Sequence, residues 1–200
     1  MKRFPMCIVI LTVLCCVPAA HAAMGGADGM GSGRIISFGV GGGVSVPVGD
    51  AKDAFKNGFN GQGFARLNLK ALPIAPRIDF TFSQFDLSSA KLVAPGASGT
   101  GQILAGVANL QFSLMNSGPV RPYLVAGVGA YSLKNDITGI PGATSTTDTR
   151  LGVNGGAGVL FKLGLISAYV EGRVDNVFTE KGPITADQVQ VVPVTFGIVF

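Results

Sequence analysis

The chain has 200 residues, with 15 Lys+Arg against 11 Asp+Glu and a formal charge of +4. Hydrophobic residues make 48% and charged residues only 13%, while 30 Gly and 11 Pro follow no collagen-like period. This composition excludes disorder, which needs low hydrophobicity and high charge. It also disfavours a helical protein, because each interior Gly costs a helix roughly 1 kcal/mol relative to Ala. The basic residues are too few and too dispersed for nucleic-acid binding.

Residues 1–22 read as a secretory leader. Lys2 and Arg3 form a positive n-region, Met6–Val17 is apolar apart from Thr12, and Ala20-His21-Ala22 is a small-x-small site with cleavage expected after Ala22. The apolar run is shorter than the ~20 residues of a spanning helix. Cys7, Cys15, Cys16 and the single His21 all lie in this leader, so the remaining chain has no Cys, His or Trp. That removes a disulfide framework, a His/Cys metal site and any His-activated Ser or Cys nucleophile. Residues 23–34 form a Gly/Met-rich linker ahead of the folded part, 35–200.

From Ile35 onward, apolar and small or polar residues alternate with period 2, the pattern of strands with two unlike faces. Ile35–Val48 sets Ile36, Phe38, Val40, Val44, Val46 and Val48 against Ser37, Gly39, Gly41, Gly43 and Ser45. Gly61–Ala71 sets Ala65, Leu67, Leu69 and Ala71 against Gln62, Arg66, Asn68 and Lys70, with Phe64 intruding on the polar side. Arg77–Phe85 opposes Ile78, Phe80 and Phe82 to Arg77, Asp79, Thr81 and Ser83. In Gln102–Met115, Leu104, Ala108, Leu110, Phe112 and Leu114 face away from Asn109, Gln111 and Ser113, and Ile103 and Val107 intrude on the polar face.

Arg121–Leu133 sets Leu124, Ala126, Val128 and Ala130 against Tyr123, Gly127, Gly129 and Tyr131. Arg150–Leu163 sets Leu151, Val153, Ala157, Val159 and Phe161 against Gly152, Asn154, Gly156, Gly158 and Lys162. Ser167–Phe178 sets Ala168, Val170 and Val174 against Tyr169, Glu171, Arg173 and Asp175. Val191–Phe200 closes the series, with Val192, Val194, Phe196, Ile198 and Phe200 opposite Thr195 and Gly197. Each segment has about the 9–11 residues that a tilted membrane strand needs.

The connections alternate in length. Asp50–Asn60, Asp86–Gly101, Lys134–Thr149 and Thr179–Gln190 are long and polar; Leu72–Pro76, Asn116–Val120 and Gly164–Ile166 are short. An up-and-down barrel with long outer loops and short periplasmic turns has that asymmetry. A soluble sandwich or barrel also alternates, but its polar faces would carry Lys and Glu toward water, and here they carry Gly and Ser. The expectation is therefore an all-β, eight-stranded antiparallel up-and-down transmembrane β-barrel, whose closure satisfies every backbone group in lipid.

Arg121-Pro-Tyr-Leu-Val-Ala-Gly-Val-Gly-Ala-Tyr131, Gly155-Gly-Ala-Gly-Val159 and Val194-Thr-Phe-Gly-Ile-Val-Phe200 resemble the outer-membrane β-barrel domain family, which includes opacity-type and OmpA-like barrels. The resemblance spans about 35–200 and implies a cell outer membrane location in a double-membraned bacterium. It also implies that Phe196, Ile198 and the terminal Phe200 form the signal read by the barrel-assembly machinery. With no Trp and three Tyr, the aromatic girdles of such barrels must be built mostly of Phe.

Chemistry is confined to the inward face. Arg66, Lys70, Arg77, Asp79, Glu171, Arg173 and Asp175 share inward parity, and a narrow lumen should force them into one neutralising network, because unpaired buried charge is costly. A gated ion path lined by charge is the alternative, and a catalytic carboxylate pair of the glycosidase kind finds no cleft beside so much arginine. Gly39–Gly43 and Gly127-Val-Gly129 lack the Lys-Ser/Thr ending and the following helix of a phosphate loop. The reading is a non-enzymatic barrel without metal or cofactor, in contact with outer-membrane lipid. Its role is structural or surface-interaction, with the lumen plugged and an extracellular ligand or surface met by the loops. A small porin-like channel or transporter for ions or apolar solutes is the other reading, with Leu92, Val93, Ile137 and Ile140 as its hydrophobic mouth.

Overall fold

The structure, a computed structural model, describes residues 35–49, 52, 56–69, 72–86, 98–115, 117–138, 145–178 and 188–200. The leader, the linker and much of the long connections, including Leu92, Val93 and Ile140, lie outside the described residues, as does the side chain of Ile137. Eight strands follow in chain order: β1 Ile36–Val48, β2 Gly58–Leu67, β3 Ile74–Asp86, β4 Ser98–Ser113, β5 Val120–Thr138, β6 Ser145–Leu163, β7 Ile166–Phe178 and β8 Gln188–Val199. Each pairs antiparallel with its neighbours in sequence, and β1 pairs with β8 to close the barrel. Among the described residues, no helix is long and apolar enough to cross a membrane.

Burial alternates along the strands because side chains point in turn to the lumen and outward. The outward rows are exposed and apolar: Phe38, Val40 and Val44 on β1, Ile78 and Phe80 on β3, Leu104 and Leu110 on β4, Val128 on β5, Leu151 on β6 and Phe196 on β8. The parity read from the sequence holds in every strand. All three Tyr (Tyr123, Tyr131 and Tyr169) are buried in the lumen, so the outer aromatic surface is Phe alone. Phe112, Phe161 and Phe200 lie toward the short-turn end, and Phe59 and Phe178 toward the other.

Several strand boundaries differ from expectation. β2 covers Gly58–Leu67, where Gly61–Ala71 was expected. Its pairing stops where the Asn68 amide donates to Ile35 O at 2.7 Å and the Leu72 amide turns back to Leu69 O at 3.2 Å, ahead of Pro73. The expected loop Lys134–Thr149 is largely strand, since Lys134 pairs with Thr147, Asn135 with Thr146 and Asp136 with Ser145. Ile137 and the threonines from 138 to 149 favour extended backbone, so β5 and β6 reach 19 residues each. The other long connections also shorten, because β4 starts at Ser98 and β8 at Gln188. At the opposite end, Gly164 opens the two-residue turn between β6 and β7 with φ 77°, the sign that primed hairpin turns require.

Glycine on the inward face makes room for aromatic rings. A Cβ at Gly39 would collide with the Phe64 ring, at Gly158 with Tyr123, at Gly152 with Tyr131, and at Gly41 or Gly197 with Tyr169. Each inward ring of this set therefore lies over a bare stretch of neighbouring backbone. That fills a lumen which eight strands leave only wide enough for side chains.

Candidate functional site: the lumen charge network

The lumen is layered. Toward the short turns, Phe64, Tyr123, Leu160, Tyr169 and Val199 pack as one apolar cluster, with the Phe64 and Tyr169 rings edge to face at 5.5 Å. Toward the long connections, Ala105, Val107, Tyr131 and Val177 form a second cluster, flanked by Ile103, Leu133 and Val189. The charges lie in between.

Arg77, Asp79, Glu171 and Arg173 are 2%, 0%, 1% and 3% exposed. Arg77 comes from β3 and points at two acids. Its Nη2 lies 2.7 Å from Asp79 Oδ1, and its Nη1 donates to Glu171 Oε2 at 2.7 Å. Arg77 Nε also donates to Asp79 Oδ1 at 2.7 Å, and Nη2 donates to Glu171 Oε1 at 3.1 Å. This is the bidentate fork that makes Arg–carboxylate pairs strong. Arg173 from β7 completes the square, with Nε 3.3 Å from Glu171 Oε1 and Nη1 3.7 Å from Asp79 Oδ2. Two positive and two negative charges cancel.

Neutral side chains take up the remaining capacity. Gln62 Nε2 donates to Asp79 Oδ1 at 3.1 Å and to Glu171 Oε1 at 3.2 Å. Asn109 Nδ2 donates to Asp79 Oδ2, and the Tyr123 hydroxyl donates to Glu171 Oε2 at 2.7 Å. Gln111 Oε1 accepts from Arg77 Nη1 at 3.5 Å. The Arg77 guanidinium lies over the Phe64 ring, 3.6 Å from its centroid, a cation–π contact in a desolvated place. All four carboxylate oxygens of Asp79 and Glu171 are thus engaged.

A second polar knot lies on β1, β2, β3 and β8. Asn60 Nδ2 donates to Val44 O at 2.8 Å and to Ser45 Oγ at 3.3 Å, and Thr195 Oγ1 donates to Asn60 Oδ1 at 2.9 Å. Ser45 and Ser83 hydroxyls meet at 3.2 Å. This knot ties the closing seam of the barrel from inside.

Of the seven charges expected to share one network, Arg77, Asp79, Glu171 and Arg173 do so. Arg66 and Asp175 keep the inward parity but make no ion pair with a described residue, and Lys70 lies outside the described residues. Arg66 is excluded for a geometric reason. It pairs across β2–β3 with Arg77, which already occupies both acids. Gln62, Asn109, Gln111, Tyr123 and Phe64 were not singled out as site residues, although all share the parity of the charges beside them. Their signal was position in the alternation, since nothing in their residue type marks them. Among the described residues, no group of three or more His, Cys, Asp or Glu is placed to hold a metal.

Residues 7–176 match the model of the outer membrane protein beta-barrel domain. The chain belongs to that family. Family membership places this barrel in the outer membrane of a Gram-negative bacterium. No curated protein sequence matches the chain. Among solved structures, it is similar to Neisserial surface protein A, with TM-score 0.60 and 14% identity over 83% of this chain and 96% of that one. A major outer membrane protein from Thermus thermophilus gives TM-score 0.60 and 16% identity over 84% of this chain and 99% of that one. Ail, the attachment invasion locus protein of Yersinia pestis, solved with the heparin analogue sucrose octasulfate, gives TM-score 0.53 and 16% identity over 82% and 97%. At such identities the likeness is one of fold. Phe196, Ile198 and Phe200 stand outward and exposed at the end of β8.

Proposed function

We propose that this barrel is a closed structural or surface-interaction protein of the outer membrane. The Arg77–Asp79–Glu171–Arg173 square plugs its lumen, and its long connections meet the outside. One observation carries the reading: every carboxylate oxygen of the square is engaged, and the square lies between two apolar layers. An ion crossing that section would have to displace charge-assisted bonds, each worth about 1.5–3 kcal/mol, and then pass a closely packed layer of side chains on either side. The surface role draws support from the similar folds of Neisserial surface protein A and of Ail. In the same reading the chain is exported with its leader cut after Ala22, and the barrel-assembly machinery inserts it through the terminal strand.

Single-channel recording of the purified barrel in planar bilayers tests the plug. Wild-type protein is expected to stay near zero conductance, and Glu171→Ala to open resolvable events. Steady conductance by the wild type overturns the plug and establishes the channel reading.

A further inference from the structure

The lumen holds more arginine than its acids can pair. Below the neutral square, at the short-turn end, stand Arg66 near the end of β2 and Arg121 near the start of β5. The Nε of each is buried and has no hydrogen-bond partner among the described residues. Both residues are half-buried overall, so solvent can reach them from the mouth. Both stand at inward positions at the same end of a narrow lumen, where like charges repel, and Arg66 is also the direct cross-strand partner of Arg77. No described carboxylate relieves them. Asp79 and Glu171 are saturated by Arg77, Arg173, Gln62, Asn109 and Tyr123, and the Phe64–Tyr123–Leu160–Tyr169–Val199 layer packs beside the square at this end. A guanidinium stays protonated in a protein. Its buried Nε–H therefore calls for an acceptor.

We propose that the short-turn mouth of the barrel is a binding site for a small oxyanion, held between the Arg66 and Arg121 guanidinium groups. Planar forks presented from two strands suit a phosphate or carboxylate, whose oxygens accept paired N–H bonds. The site is separate from the plug and does not depend on whether the lumen conducts. Bound there, an anion relieves the Arg66–Arg121 repulsion and supplies the missing acceptors.

The experiment uses the folded full-length barrel, labelled with 15N-arginine, in maltoside micelles that carry no phosphate. Sodium phosphate is titrated against sodium chloride at matched ionic strength while the arginine Nε–Hε resonances are followed. Two resonances, assigned through Arg66→Gln and Arg121→Gln, are expected to shift saturably with phosphate alone. The remaining partner in either variant should bind at least about tenfold more weakly, since about 1.4 kcal/mol corresponds to a factor of ten. Without phosphate, Arg66→Gln should leave the thermal midpoint of the barrel unchanged or raised, because it removes a repulsion. A barrel in phosphatidylglycerol nanodiscs separates the sources: resonances already at their bound positions identify a lipid headgroup, and resonances that still move with phosphate identify a soluble anion. Shifts reproduced by chloride, shifts that never saturate, or clear destabilisation by Arg66→Gln without added anion would overturn the site.

Discussion

Replacing Glu171 by alanine removes the side chain that accepts the most side-chain hydrogen bonds among the described residues. Its two oxygens take bonds from Arg77 at 2.7 and 3.1 Å, from Tyr123 at 2.7 Å and from Gln62 at 3.2 Å, and Arg173 Nε lies 3.3 Å away. Without it, Arg77 and Arg173 share only Asp79, and one positive charge is stranded at a site where Glu171 itself is 1% exposed. Breaking one half of a buried pair costs about 3–5 kcal/mol. The orphaned Tyr123 hydroxyl adds about 1–3 kcal/mol of unmet desolvation, so the upper part of that range is expected. Glu171→Gln keeps an acceptor but loses the charge, and should fall between wild type and alanine. Arg77→Leu combined with Glu171→Leu removes a pair of opposite charges, and should cost clearly less than the two single changes added together. Urea unfolding of the barrel in lipid, with the gel shift between unboiled and boiled samples as a check on folding, measures all five variants. A Glu171→Ala cost below about 0.5 kcal/mol, the range of ordinary surface changes, would refute the reasoning by showing that water replaces the carboxylate.

Phe64→Leu should lower stability by about 1–2 kcal/mol, through loss of the desolvated cation–π contact with Arg77, and thermal melting of the folded band reads it. Gly39→Val places a branched side chain where the Phe64 ring lies and should cost about 1–3 kcal/mol by overpacking; Phe64→Ala in the same chain should recover part of that loss. Phe200→Asp should reduce membrane insertion and leave chain for periplasmic proteolysis, scored as the folded fraction in isolated outer membranes. Equal folded fractions for Phe200→Asp and wild type would remove the terminal Phe from the assembly signal.

Strand number, parity and pairing order were legible in the sequence because period-2 alternation and short turns determine them locally. Glu171 and Arg173 alternate with Gly172 and Val174 in β7, and that spacing alone sends the charges inward. Which inward charges meet was not legible. Arg66 and Arg77 have the same parity, yet across β2–β3 they stand as direct partners, and only the one nearer the acids enters the square. The register comes from long-range pairing and carries no local mark. The strand ends of β5 and β6 were misjudged for a related reason. Their polar, threonine-rich extensions resemble loop by composition, while the pairing of Asp136 with Ser145 continues the ladder beyond the outward apolar stretch.

The glycine content, which first argued against helices, follows from the same need that produced the charge square. A lumen this narrow admits large side chains only where the facing backbone is bare. Phe64 lies over Gly39, Tyr123 over Gly158, Tyr131 over Gly152, and Tyr169 over Gly41 and Gly197. Those rings are the apolar layers above and below the square, so glycine on one strand permits the layer that dries the charges on another. Drying strengthens the Arg77 and Arg173 pairings, because attraction between opposite charges rises as the local dielectric falls. It also raises the cost of any charge left over, and Arg66 and Arg121, outside the square, stand at the mouth, where solvent or an anion can reach them. With the interior spent on filling and neutralising itself, the parts of the molecule free to recognise anything are its two ends.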